Sequence, residues 1–96
     1  MNIEAQTKEA LTLLSESSRG YFTVWSLSGD ANRKRRVQIM CALHGVDKYP
    51  VAKSGITAME KALHHRVSQL GGAIVGRSIR DRDECFQQWA KDFLAQ

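Results

Sequence analysis

The chain has 96 residues, 43% of them hydrophobic and 25% charged, with one proline and a formal net charge of +4. That composition fits a folded unit with one modest core, and it excludes a disordered tail or a repeat array. No apolar run reaches the roughly 18–20 residues a bilayer span requires, and the polar start from Met1 to Ala10 lacks a secretory leader's basic-then-apolar plan, so the expectation is a cytoplasmic protein with residues 1–96 in one compact domain.

Asn2 is placed to cap a first helix, whose apolar stripe is Ile3, Ala10, Leu11 and Leu14 and which stops by Gly20. "YFTVWSLS", residues 21–28, is rich in aromatic and β-branched residues and reads as a strand. Ser28–Gly29 turns the chain, and Asp30 is a suitable N-cap for a helix running to about His44. On that helix Val37, Met40, Cys41 and His44 share a face, widened by Ile39 and Leu43, and Gly45 supplies the stop. Residues 46–56 are irregular or hold one short turn. Thr57 and Glu60 have capping-box spacing ahead of a stripe of Met59, Ala62, Leu63, Val67 and Leu70, ended by Gly71–Gly72. "AIVGRSI", residues 73–79, reads as a second strand. Asp81 and Glu84 repeat the box spacing before a last helix that presents Phe86, Trp89, Ala90 and Phe93. The expected fold is α+β, mostly helical, in the order α-β-α-α-β-α with two short strands.

Charge is unevenly distributed. Residues 33–80 hold ten Lys or Arg against Asp47 and Glu60, whereas the segments on either side are each net acidic by two. A basic middle between acidic ends points to a polyanionic partner. Its densest part, Arg33, Lys34, Arg35 and Arg36, falls at the start of the second helix, where the backbone dipole already disfavours cations by about 0.3–1 kcal/mol each. Neutralising that run is therefore expected to leave stability unchanged or raise it slightly.

Catalytic and metal chemistry find little support. His64 and His65 are adjacent on a helix and diverge by roughly 100°, so they cannot share one metal. Cys41 and Cys85 show neither disulfide-framework nor metal-ligand spacing and read as buried small hydrophobes in a reducing compartment. Asp81, Asp83 and Glu84 suit a helix start, and the glycines form no Walker or dinucleotide loop. The expectation is a non-enzyme without cofactor or metal.

"KYPVAKSGITAMEKALHHRVSQLGGAIVGRSIRDRD", taken with "RKRRVQIMCALHG" before it, is similar in layout to a winged helix-turn-helix across residues 34–82. It departs where Ala52 precedes Gly55 by three residues instead of four, and where Pro50 interrupts the helix before the turn. The resemblance implies that Thr57, Lys61 and His64 face base edges while Arg77 and Arg80 touch phosphate. Together with Arg33, Lys34, Arg35, Arg36 and Lys53 these form the expected binding surface, for nucleic acid (DNA first) or for an acidic surface of a partner protein. The alternative function is a small phage-type inhibitor or adaptor that docks on a host protein or a nucleoprotein defence complex.

Overall fold

The computed structural model describes residues 2–17 and 27–96. Four helices carry the described residues: α1 (Ile3–Ser17), α2 (Arg33–His44), α3 (Ile56–Gln69) and α4 (Ile79–Leu94). Short 3₁₀ turns at Asp30–Asn32 and Val51–Lys53 lead toward α2 and α3. No strand occurs among the described residues, so the expected α+β class is corrected to an all-helical one.

The first expected strand, residues 21–28, lies outside the described residues except for Leu27 and Ser28, and these form no strand. The second fails for a visible reason. Residues 73–79 cross from α3 to α4, with Ile74 half-buried against the core and Val75 67% exposed. The connection is held by other groups instead. The Gly72 N–H donates to the Val67 carbonyl at 2.9 Å, the Cys85 thiol donates to the Ala73 carbonyl at 3.4 Å, and Arg82 reaches the Gly76 carbonyl at 3.5 Å. The winged layout goes with the strand. There is no wing among the described residues, and α2 and α3 are separated by residues 45–55, where a helix-turn-helix uses a turn of three or four residues.

Several helix ends also form differently from the sequence reading. Asn2 does cap α1, its Oδ1 accepting from the Glu4 and Ala5 N–H groups at 3.0 and 3.1 Å. Asp30 does not cap backbone, because its carboxylate pairs with Arg33 at 2.8 Å. Thr57 is already inside α3, whose N-cap is Gly55, and no side chain caps that end. The cap of α4 is Ser78, whose hydroxyl oxygen accepts from the Asp81 N–H at 3.1 Å, three residues before the expected start. Gly45 ends α2 in the left-handed conformation, φ 64°, where glycine carries no Cβ penalty.

Helices α1 and α2 run antiparallel, with Gln6 against Gly45 at one end and Glu16 facing Arg35 near the other. Between them and α3 and α4 lies one apolar cluster: Ala10, Leu11 and Leu14 of α1, Ile39, Met40 and Leu43 of α2, Met59, Leu63 and Val67 of α3, and Phe86, Ala90 and Phe93 of α4. On α2 this face is rotated from the expected one, since Val37 and Cys41 are half-buried and His44 is exposed, stacked on Tyr49 at 4.9 Å. Both cysteines, Cys41 and Cys85, are half-buried where full burial was expected.

Candidate functional site

Arg36 organises the basic end of the molecule. It is 8% exposed, and its guanidinium donates to three backbone carbonyls: Ser54 at 3.0 Å, Gly29 at 2.9 Å and Leu27. The side chain therefore leaves the expected binding surface and becomes an internal tie. A guanidinium carries N–H donors in a fixed fork, and here they pair carbonyls of two backbone segments. Through it the backbone beside Lys53 is drawn against the first turn of α2.

Arg66, half-buried on α3, is a second tie. It donates to the Leu43 carbonyl at the end of α2 at 2.7 Å and to Gln6 of α1 at 3.3 Å. A cation suits the C-terminal carbonyls of a helix. Both arginines belong to the cationic excess of residues 33–80, and neither offers its charge freely at the surface.

The other arginines and lysines of the run remain outside. Arg33 and Lys34 are exposed and Arg35 half-buried; Arg33 holds Asp30, and Arg35 lies 4.0 Å from Glu16. Lys34 and the exposed Lys53 make no ion pair among the described residues. Neither α2 nor α3 has a side-chain cap or an acidic residue in its first turn. The start of α3 thus keeps its partial positive charge, whereas α2 continues from the Asp30–Asn32 turn, whose Asp30 carbonyl accepts the Arg33 N–H; both starts border Arg36, since Ser54 immediately precedes the Gly55 cap of α3. The result is a cationic pole made of Arg33, Lys34, Arg35, Lys53 and the α3 N-terminus, moderated by Asp30 and Glu16. Thr57, in the first turn of α3, exposes its hydroxyl beside it.

A second group lies along α3 and the start of α4. Lys61 and His64 are exposed on α3, Arg77 is exposed on the connection, and Arg80 pairs with Glu84 at 3.2 Å. Arg82 acts on Glu60 and His64 together. Burial raises the Glu60 carboxyl above its ordinary range while Arg82 lowers it in part; partial desolvation of the His64 imidazole on its otherwise exposed residue lowers it, and the Arg82 charge lowers it further. Both effects favour the neutral imidazole of His64.

The sequence held a signal for both ties. Arg36 sits three, four and seven residues before Ile39, Met40 and Leu43, and Arg66 seven and three after Met59 and Leu63, so each lies on or beside a core face. Counting charges along the chain hides that placement. No group of three or more His, Cys, Asp or Glu among the described residues is arranged to hold a metal ion, and no described helix is long and apolar enough to cross a membrane. Comparison of the chain with known protein families, curated proteins and solved structures finds no match.

Proposed function

We propose that the chain is a small, non-catalytic cytoplasmic module that binds nucleic acid, DNA in the first place, through the cationic pole at the start of α2. The observation that carries this reading is the imbalance at that pole. Four cations gather there, Arg33, Lys34 and Lys53 exposed and Arg35 half-buried, beside the uncapped start of α3, with Asp30 and Glu16 as the nearby acids. Arginine forks and backbone N–H groups are the usual donors to phosphate oxygens, and such contacts fix a protein on the duplex without reading sequence. The proposed surface also takes in the exposed Thr57, Lys61, His64 and Arg77, and Arg80, which is shared with Glu84.

The test is binding of a labelled duplex by fluorescence anisotropy over a salt series from about 50 to 200 mM. Replacing Arg33, Lys34 and Arg35 together with Gln should weaken binding alike on unrelated sequences and reduce the salt slope by about one per lost phosphate contact. Duplex binding that is absent, or that the triple variant leaves intact, rejects the reading.

A further inference from the structure

The antiparallel pair α1 and α2 leaves a groove of about 640 Å³ on its outer side. Its floor is Leu13, Val37, Cys41 and Ala42, and it ends at Gly45 and Val46, the latter 45% exposed. Small residues of α2 make it: a Cβ at Gly45 would lie 2.6 Å from the Gln6 side chain, so that end closes tightly while Cys41 and Ala42 leave space above them. From Lys34 to Gly45 the groove follows α2 for about 17 Å, roughly three helical turns.

Its rim is graded in charge. Glu9 and Asp47 stand toward the Gly45 end and Lys34 at the other, and none of the three makes an ion pair among the described residues. An apolar floor of helical length with acids at one end and a cation at the other complements one kind of partner element.

We propose that the groove receives an amphipathic helix from a partner protein, lying parallel to α2, with an acidic first turn over Lys34 and a basic last turn over Glu9 and Asp47. This order of charges is also the one an isolated helix prefers, because each end then opposes its own dipole. The occupant's apolar residues, spaced three and four apart, meet Leu13, Val37 and Cys41. The proposal does not depend on nucleic-acid binding, since Lys34 is the one residue the two surfaces share.

Two designed peptides of about four turns test it, identical in apolar stripe and composition, one with the acidic turn first and the other with the charge order reversed. Titration into the labelled full-length protein, followed by amide chemical shifts, should perturb residues 9–13 and 37–46, and the acidic-first peptide should bind about tenfold more tightly. Glu9→Lys with Asp47→Lys, both exposed and foreign to the core, should reverse that order. Val37→Glu should abolish binding of both peptides while the helical circular dichroism stays unchanged. The proposal is overturned if the peptides bind equally, if neither binds at millimolar concentration, or if the perturbed amides lie on α3 and α4. Concentration-dependent self-association abolished by Val37→Glu would also overturn it, assigning the groove to a second copy of the chain.

Discussion

Arg36 belongs by sequence to a surface run and by structure to the interior. Its three carbonyl partners come from the segment leading into α2 and from Ser54 ahead of α3, and the bonds to Leu27 and Ser54 are buried, so truncating it strands those acceptors. Arg36→Gln should cost about 1.5–3 kcal/mol in urea unfolding, because hydrogen bonds from a charged donor are lost. Arg35→Gln, one position earlier, should stay within about 0.5 kcal/mol. The expectation that neutralising the whole run leaves stability untouched thus holds for its exposed members alone. Glu60 and His64 give a second measurement at this scale. The folded state favours neutral His64, so its contribution is complete above the ordinary value of 6.5 and is lost as pH falls below it. Neutral Glu60 is favoured too, so its contribution is complete below the ordinary 4.5 and is lost as pH rises through the raised folded value. One Glu60 oxygen, Oε1, is buried without a hydrogen-bond partner among the described residues, which agrees with that direction. Unfolding free energy measured from pH 4 to 8 should rise relative to wild type at neutral pH in Glu60→Gln, and should lose its decline below pH 6.5 in His64→Gln.

Each helix buries a stripe, and the stripes differ in how readily the sequence betrays them. On α3, Met59, Leu63 and Val67 recur at helical spacing and are all buried. Leu63→Ala should lower stability by about 2–5 kcal/mol, read from the urea midpoint. On α4, Phe86, Ala90 and Phe93 are buried, and Trp89 stacks on Phe93 at 5.0 Å. Deleting residues 83–96 should therefore abolish the cooperative unfolding transition; a truncated chain that still melts cooperatively would show that α1–α3 suffice. Short-range propensity does not set topology. Ile74, Val75 and Ile79 are good strand residues, yet a strand exists only if another pairs with it, and local composition carries no information about a pairing partner. The caps failed similarly: Asp30 satisfies the capping rule but finds Arg33 one turn on, and a charge-assisted pair displaced the backbone bond. Gly76 marks where the connection meets α4. A Cβ there would lie 2.8 Å from the Arg82 nitrogen at φ 155°, a contact with backbone that cannot move aside, so Gly76→Ala should destabilise by about 1–3 kcal/mol.

At the scale of the whole molecule, the candidate site was half legible. The cationic excess was plain from residue counts, and Arg33, Lys34, Arg35 and Lys53 lie outside as their chemistry suggests. That Arg36 and Arg66 turn inward required knowing which helix faces meet, which depends on packing between segments far apart in sequence. The groove between α1 and α2 was not legible at all, because it arises from the small size of Cys41, Ala42 and Gly45 opposite a neighbour whose position only the fold sets. Helix α1 also has ties to every other helix: it packs along α2, receives Arg66 of α3, and its Lys8 lies 5.9 Å over the Phe93 ring of α4 while donating to the Gln96 carbonyl at 3.1 Å. Because it joins all three, α1 should act as the missing half of a divided protein. A synthetic peptide of residues 1–17 mixed with a fragment of residues 27–96 should restore a saturable helical signal with one-to-one stoichiometry. A peptide carrying Leu11→Ala and Leu14→Ala should fail to do so, since those two side chains are fully buried on α1.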